Sequence, residues 1–431
     1  MNDLPHADML EATRLTRAGQ LTEATALLQR ALRGGTAPDT ASAPTGEAAP
    51  APAGRVPRII DLTPDTIELT DPQPSPRARQ AFGTGNRPAG LTPGTVQPHL
   101  PEALRSFLGR VKRGQPEPGT GHMPRRSPPH ADVVPDGGRF LAASYSNQAG
   151  SRAYKLYVPS GYRGQAVPLV VMLHGCTQSP DDFAAGTRMN VLAEEHTCLV
   201  AYPAQAASAN ASKCWNWFSP RDQQRGQGEP SLIAGITRQV MRDYAVDPER
   251  VYVAGLSAGA AAAAIMGTAY PDLYAAIGVH SGLACGAASD LPSAFAAMSQ
   301  GDARVRESGG GGYRQMVPTI VFHGDQDGTV HPRNGDQVVA QSASAVASLQ
   351  TTVQHGRVPG GHAYSRTLHA DARGQTILEQ WVIHGAGHAW SGGSPAGSYT
   401  DPRGPDAARE MLRFFLEHPA QAAAPSSSVP S

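Results

Sequence analysis

The sequence has no net formal charge: 36 Lys and Arg balance 36 Asp and Glu over 431 residues. That balance argues against a nucleic-acid surface, which needs a basic excess, and against an acidic solvating tail. No run of about 18 apolar residues occurs, so no membrane span is expected. The start, Met1-Asn2-Asp3-Leu4-Pro5-His6, lacks a basic stretch followed by an apolar one. No secretory signal is therefore read, and a cytoplasmic location is the default. Cysteine is scarce. The four, Cys176, Cys198, Cys214 and Cys285, all lie beyond residue 175 and fall below the density of a disulfide scaffold. In the cytosol they would be thiols.

Glycine and proline are plentiful, 47 and 38, but unevenly placed. Residues 1–35 read as a helical segment. Met9, Ala12, Leu15, Leu21, Ala24, Leu27, Leu28, Ala31 and Leu32 recur near helical spacing, with a turn at Arg17–Gln20. One such unit cannot bury its own face. Residues 8–33 are thus expected to dock on the main domain, self-associate or hold a partner. Residues 36–137 are rich in Pro, Ala and Gly and read as a mostly disordered linker, broken by the islands Ile59–Leu62 and Leu104–Val111. Residues 419–431 read as a second low-complexity tail.

Between 138 and 418 the pattern changes. Tyr154–Val158 alternates as an early strand. Pro168–Leu173 and Cys198–Tyr202 are continuous apolar runs, as expected of strands buried on both faces. Val251–Ala254, Ala275–Val279, Pro318–Phe322 and Gln380–Ile383 supply further strands. Ser231–Tyr244, Ala260–Tyr270 and Ala407–Glu417 have helical character. Strands alternating with helices predict a mostly parallel sheet covered on both faces.

Gly255-Leu256-Ser257-Ala258-Gly259 is a G-x-S-x-G pentapeptide between a β-rich run and an Ala-rich helix. That setting is what a nucleophile elbow requires, and it places Ser257 at a helix N-terminus. A serine nucleophile needs a base and an orienting acid, which in the α/β-hydrolase order follow as Asp or Glu and then His. Past Pro318–Phe322 comes His323-Gly324-Asp325-Gln326-Asp327. Asp327 is the chosen acid and Asp325 the competitor, which could instead cap the turn. Past Gln380–Ile383 comes His384-Gly385-Ala386-Gly387-His388-Ala389-Trp390, and His388 is the candidate base. The His384/His388 spacing suits a metal pair only on a helix, which Gly385 and Gly387 disfavour, so no metal is expected. The backbone N–H groups of Ala258 and of Cys176, in Leu173-His174-Gly175-Cys176, are the candidate oxyanion donors.

These residues resemble the polyhydroxybutyrate depolymerase-like esterases, with their feruloyl and acetylxylan esterase relatives. Five motifs carry the resemblance in order: Val170–Cys176, Cys214-Trp215-Asn216-Trp217-Phe218, Asp247–Gly259, His323–Asp327 and Gly387-His388-Ala389-Trp390. It spans about Tyr154 to Glu417. The resemblance implies an α/β-hydrolase fold over 138–418 and a triad of Ser257, Asp327 and His388, and it tips the acid choice to Asp327. No cofactor is expected. Two features depart from the family: no signal peptide is read, and no polymer-binding domain is read after residue 418.

Trp215, Trp217 and Trp390 are expected near the active-site face, suited to a 3-hydroxyacyl or phenolic acyl group. Cys176, Cys214 and Cys285 follow strands on one face, and Cys176–Cys214 is the favoured pair if the protein is exported. The expected activity is hydrolysis of poly(3-hydroxybutyrate)-type polymer or oligomers. The enzyme alternative is a feruloyl, acetylxylan or small-ester carboxylesterase. The alternative of another class is a granule-associated or binding protein working through its N-terminal helix.

Overall fold

A computed structural model describes residues 133–301 and 316–420. The helix expected over 8–33, nearly all of the linker with its two islands, and the tail beyond 420 lie outside the described residues.

Among the described residues, ten strands form one sheet in the order β1-β2-β4-β3-β5-β6-β7-β10-β9-β8. They are β1 (Arg139–Asn147), β2 (Gly150–Val158), β3 (Val167–Leu173), β4 (Leu199–Pro203), β5 (Val246–Leu256), β6 (Ala276–His280), β7 (Thr319–Gly324), β8 (Gln350–Arg357), β9 (Ala363–Ala370) and β10 (Thr376–Ile383). The run β4-β3-β5-β6-β7-β10 is parallel. Antiparallel hairpin strands extend both edges, β1 and β2 at one, β9 and β8 at the other. A pair of two-residue strands, Trp390–Ser391 and Thr400–Asp401, stands apart from this sheet.

The central strands are apolar throughout because both faces are covered. Alternate residues of β3 serve opposite layers, Leu169, Val171 and Leu173 in one, Val170 and Met172 in the other. The first layer is roofed by α3 (Gly228–Asp243), α4 (Ala258–Ala269), α5 (Leu291–Gln300) and α6 (Arg333–Ala343). The second is roofed by α1 (Pro180–Thr187), α2 (Met189–His196) and α7 (Ala407–Glu417). α7 turns Met411, Leu412, Phe414 and Phe415 inward, and Phe415 stacks on Tyr252 of β5 at 4.9 Å. Each buried Phe contributes roughly 1.5–3 kcal/mol relative to exposure. No helix among the described residues is long and apolar enough to cross a membrane.

One buried charge ties α7 to the sheet. Glu379 of β10, 1% exposed, accepts from Arg366 of β9, from Arg413 of α7 through both carboxylate oxygens, and from Trp381 Nε1. The carboxylate is fully desolvated yet fully hydrogen-bonded, the condition under which a buried charge is tolerated.

The α/β organisation and the expected central strands are present. β1, β8 and β9 were not anticipated. Their residues are largely exposed or half-buried, so they show no apolar run.

Candidate active site

β5 ends at Leu256 and α4 begins at Ala258, leaving Ser257 alone in the turn. Its backbone sits at φ 57°, ψ −120°, a conformation that costs an L-residue energy and persists only where the surroundings impose it. Two glycines impose it here. A Cβ on Gly255 would lie 2.4 Å from the backbone of Gly259, and a Cβ on Gly259 would lie 2.1 Å from Leu173 O of β3. Strand and helix therefore pack backbone to backbone, and Ser257 is thrust up at the carboxyl end of the sheet. Its own N–H donates to His280 O at 2.9 Å.

His388 Nδ1–H donates to Asp327 Oδ2 at 2.7 Å, and His388 and Ser257 line one small cleft together with Gly175, Cys176 and Tyr399. Asp327 Oδ1 accepts from the backbone N–H groups of Thr329 and Val330, both at 2.9 Å, and His323 Nε2 lies 3.4 Å from Oδ2. Burial opposes ionisation of Asp327, but the facing His388 and the hydrogen bonds from His323 and His388 outweigh it. They hold this carboxyl well below the usual carboxylate range. Asp325 takes a different partner, His384, at 3.0 Å.

The strand-to-helix loop after β3 is fixed from several sides. Burial pushes His174 down to about 4, so its ring is neutral at ordinary pH. Its Nδ1–H donates to Gly175 O at 2.8 Å, and its Nε2 accepts from Gln205 N–H at 3.0 Å. Gly175 N–H donates to Gln178 Oε1 and Thr177 N–H to Ser212 O. A disulfide joins Cys176 to Cys214, across 4.2 Å between Cα atoms. Cys198 and Cys285 are buried elsewhere. Glu229 of α3 braces the Cys214–Phe218 loop, accepting from Asn216 N–H at 2.7 Å, from Asn216 Nδ2 at 2.8 Å and from Gln205 Nε2. Its burial raises the carboxyl's pKa.

Beside Ser257, Cys176 and Ala258 opens a cavity of about 150 Å³ with mainly apolar walls. Trp217 and Phe218 form one wall, and Leu291, Ala294, Phe295 and Met298 of α5 form another. The α5 residues were missed from the sequence, although their i, i+3, i+4, i+7 spacing behind the Asp290 capping box was the available signal.

The expectation for the tryptophans needs correction at two positions. Trp217 does line the cavity. Trp215 is fully buried, its Nε1–H donating to His174 O at 3.1 Å. Trp390 is 1% exposed, stacked on His280 at 5.0 Å and edge-on to Phe183. Both rings are packed into the core that supports the site and are absent from the cavity lining. The large apolar area of an indole favours such burial; the Trp215 N–H is hydrogen-bonded, while Trp390 is held by the rings packed around it.

A central parallel sheet with a serine in a strained turn between strand and helix defines an α/β-hydrolase. Residues 152–360, just under half of the chain, match the family model described as esterase PHB depolymerase. The chain is 34% identical over 254 residues to poly(3-hydroxyalkanoate) depolymerase C of Paucimonas lemoignei, covering 57% of this chain and 60% of that protein. The chain thus spans about three-fifths of the length of that relative. It is 28% identical over 257 residues to feruloyl esterase B of Neurospora crassa, covering 56% of this chain and 85% of the relative. The solved acetyl xylan esterase from Aspergillus awamori superposes with a TM-score of 0.50 at 21% identity, over 65% of this chain and 99% of that one, a likeness of fold.

Proposed function

We propose that this chain is a serine esterase that cleaves carboxylic esters through an acyl-enzyme, with Ser257 as nucleophile, His388 as base and Asp327 as orienting acid. The observation that carries the reading is the strained Ser257 sharing a cleft with a histidine whose Nδ1–H is held by a buried carboxylate. Asp327 sets the tautomer that leaves His388 Nε2 free to take the Ser257 proton, and it stabilises the imidazolium that forms. Ser257 Oγ attacks the ester carbonyl, and the N–H groups of Cys176 and Ala258 receive the oxyanion. The alcohol leaves with the proton from His388, and water then releases the acid by the same route. The fixed His174–Gln178 loop means that these donors need no reorganisation during the reaction.

The acyl portion is assigned to the cavity walled by Trp217, Phe218 and α5. Poly(3-hydroxybutyrate)-type polymer or oligomers are the proposed substrate, supported by the similarity to the Paucimonas lemoignei depolymerase. Feruloyl or acetylxylan-type esters are the second reading, favoured by the aromatic wall and by the coverage of the Neurospora crassa relative.

The test is hydrolysis of p-nitrophenyl acyl esters by the wild type and by Ser257→Ala. A fall of roughly a thousandfold or more in the mutant is expected. A well-folded wild type inert across acyl lengths, or a mutant of equal rate, overturns the reading. Comparing hydroxybutyrate oligomers with feruloyl and acetyl esters then separates the two substrate classes.

A further inference from the structure

Asp325, the competing acid, and His384 both stand outside the Ser257 constellation, and they are joined to each other. Asp325 Oδ2 lies 3.0 Å from His384 Nδ1, and Asp325 Oδ1 accepts from the Gly385 N–H at 2.7 Å. The second ring nitrogen, His384 Nε2, lies 2.8 Å from Ser365 Oγ. Ser365 Oγ also lies 3.0 Å from His355 Nδ1. The sheet edge creates this grouping. Ser365 of β9 pairs directly with His355 of β8 on one side and with Val382 of β10 on the other, and His384 follows Val382 by two residues. Cross-strand partners in an antiparallel pair project from the same face.

The carboxylate fixes the direction of each proton in this chain. Ionised Asp325 only accepts, so His384 carries its proton on Nδ1 and presents a lone pair at Nε2. The single Ser365 hydroxyl proton is therefore donated to His384 Nε2. Ser365 Oγ in turn accepts from His355 Nδ1–H. A hydroxyl in reach of a base that is itself oriented by an acid is the arrangement that activates a nucleophile.

We propose that Ser365 is a second, surface nucleophile that accepts acyl groups from small activated carboxylic esters such as aryl acetates. Ser365 Oγ forms a bond to the carbonyl carbon while its proton passes to His384 Nε2. The carbon–aryloxide bond breaks, the aryloxide leaves with the electron pair, and it takes the proton from the imidazolium. Water, deprotonated by His384, then releases acetate and restores the hydroxyl. The His355 N–H disperses the charge that builds on Oγ. The His384 and Asp325 side chains are 42% and 33% exposed, against 9% and 0% for His388 and Asp327. Water screens the outer relay, so its turnover is slow, and its openness admits small reagents without a pocket.

The inference is independent of the role given to Ser257 and is tested in its absence. The full-length Ser257→Ala protein is incubated with p-nitrophenyl acetate and read by peptide mass spectrometry. Acetyl is expected on Ser365. His384→Gln should slow that labelling by roughly a hundredfold, and Asp325→Asn, which loosens the tautomer, by roughly tenfold. Thermal melts of these exposed-site variants check that the fold is intact. Acetyl confined to lysines, tyrosines or other serines overturns the proposal. Ser365 labelling that is indifferent to His384→Gln overturns it equally.

Discussion

Asp327 is held by four groups at once, and they separate its charge from its shape. Two backbone N–H groups bind Oδ1, while His388 and His323 face Oδ2. Asp327→Asn keeps an acceptor for Thr329 and Val330 but removes the charge and offers His388 an N–H in its place. The imidazole is then driven to the wrong tautomer, with Nε2 protonated and unable to take the Ser257 proton. The expected outcome is a kcat for p-nitrophenyl butyrate roughly 10³–10⁴-fold lower with KM little changed. Steady-state kinetics beside an unaltered melting curve checks it, and a variant of near wild-type kcat would remove Asp327 from the mechanism. The serine, histidine and acid candidates were legible because each sits just beyond a readable strand. The choice of Asp327 over Asp325 rested on the resemblance and not on position, since both follow β7 within three residues. Only the fold shows that one faces a buried imidazole and the other an exposed one. Trp215 and Trp390 were misplaced for a related reason: a motif places a ring near a site but does not say which way it points.

Elements were legible in proportion to their burial. β3, β4, β6 and β7 are buried at each position, and their sequences are continuous apolar runs. β8 is exposed at all but one of its residues, so its polar sequence gives no period to read. β9 and β10 nonetheless matter to the site, because β10 delivers the loop bearing His388. Glu379 is the cross-tie of this corner, linking β10 to Arg366 of β9 and Arg413 of α7. Glu379→Leu leaves two guanidinium groups, 22% and 30% exposed, facing an apolar side chain. Partial hydration of the arginines softens the loss, and the expected cost is about 3 kcal/mol. Urea unfolding should show a lower midpoint with an unchanged slope. A midpoint equal to wild type would mean that the pair is no better than the packing that replaces it.

Over the whole molecule, the buried polar groups behind the candidate site set how the fold responds to acid. Burial pushes His174 down to about 4 and His280 down to about 3. His280 is locked neutral between two rings, its Nε2 accepting from the Ser391 N–H that anchors the His388-bearing loop. Both histidines take up a proton near pH 6.5 in the unfolded chain but not in the folded one. Above that pH neither state binds the proton, and stability is flat in these groups. Below it the unfolded chain gains protons that the folded chain refuses, so stability falls as pH drops from about 6.5 toward 4. His369, lowered by partial burial, acts in the same sense, whereas Glu229, whose pKa burial raises, opposes it as it takes up a proton in the folded state. Near pH 5 the two buried histidines alone give a slope of nearly two protons, about 2.5 kcal/mol per pH unit. Denaturant unfolding between pH 7.5 and 4.5 measures it, and His280→Asn should remove close to one proton from the slope even though it lowers stability at neutral pH. Stability that stays level down to pH 5 would mean that these imidazoles become charged without unfolding, and that the packing around Trp390 and the Gly175 turn yields to admit water.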